Sequence, residues 1–405
     1  MNFLHVDLNS FFAHCAVVTS EGRYTFDTPL IVGGDASKRH GIVLAATYTV
    51  KKHGVRAGMP LREALARCPE AILVPAQYHV YSHYSDRFLS IVKRYSPVVS
   101  RYGIDEAYID YRGCERLFGP ATEVAHIIRN RVKDELGLTV SVGVGDNPLM
   151  AKMGSDYKKP DAVTVVNSQF WRERIWPMEV SNLMYVGRST ADKLNGVGIR
   201  TIGQLASASQ SMLISIFGTT GKQLWLHANG IDKQLLPTAN DEQKSISASC
   251  TLPGDIQTES ELFSALLRQT DKVAYRLRKS GMRALVVGVS VRYSDLSHRS
   301  KQTRLLAPTD VTGELYECAR ELIRSLYGAK PIRQVGMRVA SLISDSEQLS
   351  IFQDALHEKR RKLDVAVDAL RTRYGGEVIS RASTLHANEE PFENFNPFDR
   401  NTVKE

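Results

Sequence analysis

Residues 3–8, Phe-Leu-His-Val-Asp-Leu, form a mostly apolar run that breaks at Asn-Ser before Phe11 and Phe12. The run reads as a buried strand with Asp7 at its end. A second strand signal covers 102–110, Tyr-Gly-Ile-Asp-Glu-Ala-Tyr-Ile-Asp. Ile104, Glu106 and Tyr108 fall on one face of a period-2 strand, and Asp105, Ala107 and Ile109 on the other. A regular strand would therefore point the adjacent acids Asp105 and Glu106 apart. A turn or bulge, for which Gly103 supplies a backbone kink, lets them converge.

Helical spacing is present over 81–95 and 121–135, with a strand over 138–144. Residues 170–231 read as short helices separated by glycine turns. Thr238 to Lys244 is polar and without period, so an interdomain linker is placed there. Beyond it the pattern runs strand 245–252, helix 259–279, strands 283–293 and 299–306, helix 310–327 and strand 332–342, which is β-α-β-β-α-β. Leu356, Leu363, Val367, Leu370 and Tyr374 follow at near-helical spacing, with Gly375 as the stop. The chain from about residue 388 is polar and expected to be disordered.

A length of 405 residues suggests two to four domains. With 43% hydrophobic and 24% charged residues the composition is that of a soluble globular protein, which argues against global disorder and against a membrane protein. The formal net charge of +8 favours a polyanionic partner. Cys15, Cys68, Cys114, Cys250 and Cys318 are scattered, odd in number and without a C-x-x-C pair, as expected of reduced thiols. Without a signal-peptide pattern or an 18-residue apolar run, the chain reads as cytoplasmic.

Asp105 and Glu106 alone could be a solvated turn. Taken with Asp7, however, His5-Val6-Asp7-Leu8-Asn9-Ser10-Phe11-Phe12 and Gly103-Ile104-Asp105-Glu106-Ala107 closely resemble the two catalytic motifs of Y-family translesion DNA polymerases of the polymerase IV type. Gly103 stands where the family usually has serine. The resemblance implies that Asp7, Asp105 and Glu106 hold two Mg2+ ions, with Leu8 lending a backbone carbonyl. Mg2+ takes hard oxygen ligands and keeps waters and substrate phosphates in its shell, so a few carboxylates suffice. Two ions about 4 Å apart stabilise the attacking and leaving oxygens of an in-line phosphoryl displacement.

Residues 41–60 resemble the family's small fingers. Tyr48, Lys51 and Lys52 match positions near the incoming nucleotide's phosphates, but Lys51 replaces the usual arginine, so a point charge replaces a bidentate fork. Ala45 stands where a hydroxyl is usual. Phe12 matches the aromatic that closes against the sugar and excludes a 2′-hydroxyl; the backbone of Phe11 is expected near the triphosphate, its ring elsewhere. Residues 141–160 resemble the last palm motif, and Lys159 matches its triphosphate lysine. Pro148 and the pair Asp161-Ala162 depart from that motif.

Leu194-Asn-Gly-Val-Gly-Ile199 fits a helix-hairpin-helix turn, in which Gly196 and Gly198 let the backbone approach a DNA phosphate. Ten Lys or Arg residues lie between 268 and 304 against Asp271 and Asp295. Among them Arg292, Arg299, Lys301 and Arg304 alternate with apolar or small residues, as if lining one groove for duplex DNA. Gln348-Leu349-Ser350-Ile351-Phe352 resembles the peptide by which bacterial polymerases dock on the sliding clamp.

Together the resemblance implies an α/β multidomain, right-hand polymerase architecture. Its α+β palm would span 1–12 and 78–166, its fingers 13–77, its helical thumb 167–237 and its β-α-β-β-α-β little finger 238–345. The clamp motif, C-terminal helix and flexible tail would occupy 346–405. The expected activity is monomeric, DNA-templated, low-fidelity addition of deoxynucleotides to a primer. A non-catalytic DNA- and clamp-binding protein on the same scaffold is the alternative raised by the fingers substitutions. A palm-type nucleotide cyclase would explain the acidic motifs but neither the hairpin turns nor the basic β-α-β-β-α-β region.

Overall fold

The computed structural model describes residues 1–34, 41–232, 236, 243–328, 330–344, 355–376 and 378–384. Met1–Gly34 and Ile42–Asn240 belong to one compact unit, and the described residues from Gln243 onward to a second. The clamp-motif residues Gln348, Leu349, Ile351 and Phe352 lie outside the described residues.

In the first unit a five-stranded sheet has the order Val98–Arg101, Glu106–Asp110, Phe3–Leu8, Val140–Gly145, Val163–Val166. Phe3–Leu8 is the middle strand, buried at every residue and antiparallel to both neighbours. Its alternation divides its side chains by chemistry. Leu4, Val6 and Leu8 join the core shared with Phe88 and Ile91 of helix Tyr78–Val92 and with Val124, Ile128 and Val132 of helix Ala121–Leu136. Phe3, His5 and Asp7 face the other way, towards helix Pro148–Tyr157.

That helix lies almost on the strand beneath it. A Cβ at Gly143 would come within 1.8 Å of the Ala151 carbonyl oxygen, and one at Gly145 within 2.7 Å of the Ala151 nitrogen. Only glycines allow this approach. Pro148 sits in the first turn, where its missing N–H is harmless, and Asn147 caps the helix by accepting from the Met150 N–H at 2.8 Å.

A smaller sheet, Val43–Ala46, Leu30–Gly33 and Ile72–Pro75, carries helices Tyr48–Lys51 and Leu61–Arg67 over its own core, which includes Ile31, Val50 and Leu61. Helices Arg188–Gly196, Ile202–Ser207, Gln210–Phe217 and Thr219–Ala228 gather round Trp171, Leu194, Leu213 and Leu224.

The second unit has the β-α-β-β-α-β order expected from the periods. Its sheet runs His298–Thr309, Met282–Tyr293, Ile332–Ser344, Ser245–Ile256, with Glu259–Lys279 and Thr312–Arg324 as the helices. Thr258 and Glu261 close a capping box at the start of the longer one. The C-terminal helix Ala355–Tyr374 forms and Gly375 ends it at φ +98°, but the apolar stripe is not its buried face. Leu356, Leu363, Leu370 and Tyr374 are exposed, whereas Asp364 and Arg371 are buried. Ion pairs account for the reversal: Asp364 meets Arg278 and Arg381, and Arg371 meets Asp271. Among the described residues no helix is long and apolar enough to cross a membrane.

Candidate active site

Asp7 stands opposite Glu106 in the sheet register, so both carboxylates leave the same face of adjacent strands. Asp105 precedes the strand Glu106–Asp110, in a bend that folds back on itself: the Tyr102 and Gly103 N–H groups both point at the Glu106 carbonyl, at 3.1 and 3.4 Å. The alternation that would have separated the two acids therefore starts only at Glu106. The Leu8 N–H donates to the Asp105 carbonyl at 2.9 Å and ties this bend to the end of the central strand.

These acids border a cavity of about 280 Å3. Its wall contains Asp7, Leu8, Phe11, Phe12, Tyr48, Lys51, Asp105, Glu106 and Lys159, together with Ser10 and Ala45; of the residues expected at the metal and the nucleotide only Lys52, which is exposed, does not line it. The Lys159 ammonium reaches Asp7 Oδ2 and Asp156 Oδ1, each at 2.9 Å. Lys51 donates to Ser10 Oγ at 2.7 Å and lies over the Tyr48 ring, 4.6 Å from its centroid. Phe11 is buried, whereas Phe12 stacks on Tyr81 and edges towards Tyr78.

The charges are unevenly balanced. Burial, and then the negative charges of Asp7 and Glu106, push the Asp105 carboxyl up to about 6. Burial also raises Asp7, against the pull of Lys159 and Lys152. Glu106 is buried too, yet His5 and Lys152 hold it below the ordinary carboxylate range. Burial opposes the charge on Lys159, but Asp7 and Asp156 outweigh it and raise its pKa.

Several residues at the site escaped sequence reading. Lys152 bridges Asp7 Oδ2 at 3.3 Å and Glu106 Oε1 at 3.0 Å. His5, fully buried, has Nε2 3.2 Å from Glu106 Oε2 and Nδ1 2.8 Å from Ser155 Oγ. Their signal was a lone cation in the apolar stretch Leu-Met-Ala-Lys-Met-Gly and a lone histidine on the polar face of a buried strand. Asp161 holds φ +51°, a conformation that glycine adopts without strain. It is fixed there by its N–H on Asn9 Oδ1 at 2.9 Å and by Lys133 and Arg129 at 3.5 and 3.6 Å.

At the helix-hairpin-helix turn Gly198 has φ +85°, and both Gly196 and Gly198 face open space. The Gly198 N–H donates to the Asn195 carbonyl at 3.0 Å, so the glycines contribute room for approach more than free donors.

The cations of the second unit do not line one groove as expected. Arg299 and Lys301 pair in register with Val291 and Val289, whose side chains join the helix-covered core. Arg304 pairs with Val286 and Arg292 with His298, on the opposite face. The four therefore divide between the two faces because their chain positions differ in parity. Arg338, opposite Gly288, joins Arg292 and Arg304 on the face away from the helices, among Ser290, Ser300 and Gly336.

Comparisons with known proteins agree with this geometry. Residues 6–156 match the model of the impB/mucB/samB family, 243–351 that of its C-terminal domain, and 182–232 that of the DNA polymerase-iota thumb domain. The chain is 37% identical over 393 residues to a DNA polymerase IV of Acetivibrio thermocellus, covering 94% of this chain and 97% of the relative. It is 34% identical over 397 residues to DNA polymerase IV 2 of Bacillus subtilis, covering 96% and 95%. Among solved structures a Y-family DNA polymerase chimera superposes with TM-score 0.75 at 24% identity, covering 85% of this chain and all of the other. Family models, relatives and fold thus converge, and the chain belongs to the impB/mucB/samB family of Y-family DNA polymerases, in its polymerase IV branch.

Proposed function

We propose that this protein is a DNA-templated DNA polymerase of the low-fidelity translesion class, extending a primer 3′ end with deoxynucleotides in DNA damage tolerance. The observation that carries the reading is one cavity in which three carboxylates converge, two from adjacent strands and Asp105 from the bend before one of them, and meet Tyr48, Lys51 and Lys159 from other elements. The relatives' activity supports it, and with it a dependence on divalent metal.

The acids fit such an ion. They are hard oxygen donors, and burial, then the negative charges of Asp7 and Glu106, disfavour the ionised Asp105 carboxylate, a charge that a divalent cation beside it would stabilise. Asp7, Asp105 and Glu106, with the Leu8 carbonyl, would hold two Mg2+ ions. When bound, such ions lower the pKa of the primer hydroxyl and neutralise charge on the departing pyrophosphate. The chain's own groups position the substrate. Lys159 and Lys51 supply positive charge for the triphosphate, Tyr48 borders the same cavity, and Phe11 lines it too, where its backbone would meet the triphosphate. Phe12, fixed by Tyr81, occupies the place of a 2′-hydroxyl, so sugar selection is steric.

In this reading the five-stranded sheet is the palm (1–12 and 78–166), the small sheet the fingers (13–77), the helical cluster the thumb (167–237) and the second unit chiefly the little finger (238–345). The thumb meets the DNA backbone at Gly196 and Gly198. The little finger meets it chiefly at Arg292 and Arg304, with Arg299 and Lys301 at the sheet edge. Gln348, Leu349, Ile351 and Phe352 would engage a sliding clamp, and the enzyme would work as a cytoplasmic monomer. Primer extension with Mg2+ on undamaged and lesion-bearing templates tests the reading. Extension that survives Asp7→Ala, Asp105→Ala and Glu106→Ala alike would overturn it in favour of a non-catalytic DNA-binding scaffold.

A further inference from the structure

The acid cluster already contains a cation of its own. Helix Pro148–Tyr157 is buried from Pro148 through Ser155, so Lys152 has little freedom to turn its ammonium out to water. That ammonium has three N–H donors, and three carboxylates lie within reach: Asp7 Oδ2 at 3.3 Å, Glu106 Oε1 at 3.0 Å and Asp156 Oδ2 at 3.3 Å. Two of these belong to the proposed metal site. Asp156 does not; it is nearly half exposed and also receives Lys159 at 2.9 Å.

We propose that Lys152 is a resident counter-cation of the active site, holding Asp7 and Glu106 together until a divalent ion claims the same oxygens, with Asp156 as the acceptor that keeps the lysine when it is displaced. The proposal rests on the metal reading above. Because lysine and metal compete for the same carboxylates, the strength of the lysine's hold sets how much metal the site needs. Asp156 weakens that hold by sharing both Lys152 and Lys159. The lysine also removes the repulsion that Asp7 and Glu106 would otherwise exert in the metal-free enzyme.

Removing the lysine and removing Asp156 should therefore shift metal binding in opposite directions. Mn2+ is titrated into the full-length protein without DNA or nucleotide, free Mn2+ being read by electron paramagnetic resonance, and thermal melting is followed with and without the ion. Lys152→Gln should bind Mn2+ about fivefold or more tightly than the parent. Its metal-free form should melt lower and recover more on adding Mn2+. Asp156→Asn should bind Mn2+ several-fold more weakly, since both ammonium groups then fall to Asp7 and Glu106. Unchanged or weakened binding in Lys152→Gln, or shifts of the same sign in both variants, would overturn the proposal. If Lys152→Gln does not fold, unchanged or tighter binding in Asp156→Asn overturns it alone. Asp105→Asn separates this from the underlying reading, because Asp105 forms no ion pair with Lys152 among the described residues. Parent-like Mn2+ binding in Asp105→Asn would sink the metal site itself. Lost binding there, with parent-like binding in the other two, would sink only the counter-cation.

Discussion

Phe12 lies flat against Tyr81, their ring centroids 4.0 Å apart and their planes 9° from parallel. Tyr81 is 1% exposed and belongs to the main core, so the phenylalanine rests on a backing that cannot give way. Phe12→Ala removes the ring and should let the enzyme insert ribonucleotides, because a 2′-hydroxyl then meets no carbon. Tyr81→Leu should act in the same direction but more weakly, by loosening the gate without deleting it. Single-nucleotide insertion of deoxy- and ribonucleotides measures both, and unchanged sugar selectivity in Phe12→Ala would make the ring a core residue only.

Asp105 should reveal a conflict between stability and function. Its carboxyl is pushed up from 3.8 to about 6, so at neutral pH the ionised form opposes folding of the metal-free protein. A raised carboxyl pKa means stability is greatest below the unfolded value and falls as pH rises from about 4 through 6, by up to about 3 kcal/mol. Asp105→Asn should remove that fall, melt higher than the parent without metal at pH 7.5, and fail to extend primers. Equal melting would show that the ionised carboxylate does not oppose folding.

His14 gives the opposite pH signature, beside Tyr48 and Lys51 on the fingers side of the cavity. It is 4% exposed, its Nδ1 has no hydrogen-bond partner among the described residues, and burial and then Lys51 lower its pKa from 6.5 to about 4. A depressed histidine contributes stability above its unfolded pKa and loses it as pH falls towards the folded value. The parent should lose about 3 kcal/mol between pH 6.5 and 4 through this group. His14→Phe, which keeps an aromatic against Phe26, should flatten denaturant-derived stability across that window.

The sequence showed some of this clearly and some not at all. The helix expected over 259–279 coincides with Glu259–Lys279, because its capping box and 3.6-residue period point the same way. Asp7, Asp105 and Glu106 were legible as motifs, and the bend at Gly103 as a necessity of strand geometry. Lys152 was not, since a lysine in a helix ordinarily marks the solvent face and only the glycines at 143 and 145 reveal how deeply this helix is pressed in. The C-terminal helix misled for the converse reason: apolar spacing identifies a helix face but not its partner, and here Arg278 and Asp271 select the charged face instead. Parity along the strand already puts Arg299 and Arg304 on opposite faces; which of those faces the helices cover could not be read from spacing, because it depends on the register with Met282–Tyr293.

Gly143 tests that helix placement. The Cβ of an alanine there would overlap the Ala151 carbonyl at 1.8 Å, and backbone cannot move aside as a side-chain tip can. Gly143→Ala should cost about 3 kcal/mol or more, at or beyond the upper end of ordinary overpacking. It should also lower turnover more than DNA affinity, because lifting the helix moves Lys152 and Lys159 while leaving the second unit untouched. Chemical denaturation and filter binding read the two effects separately, and a parent-like midpoint would show that the contact is looser than described.

Salt dependence tells the two faces of the second unit apart. Each phosphate neutralised by a cation adds about −0.9 to the slope of log affinity against log salt on duplex DNA. Arg292 and Arg304 share the face turned away from the helices, where small neighbours such as Ser290 and Ser300 leave room for a phosphate backbone. Arg299 and Lys301 emerge on the helix side of the edge strand His298–Thr309. All four carry the same formal charge, so a purely long-range field would make the two pairs equivalent. Contact does not. Arg292→Ala with Arg304→Ala should flatten the slope by about 2, whereas Arg299→Ala with Lys301→Ala should change it by less than about 1. Adding Arg338→Ala to the first pair should flatten it further, since that side chain lies opposite Gly288 on the same face. Fluorescence anisotropy of primer-template from about 50 to 200 mM salt separates these outcomes. Equal slopes for the two pairs would mean that duplex DNA does not lie on the open face of the sheet.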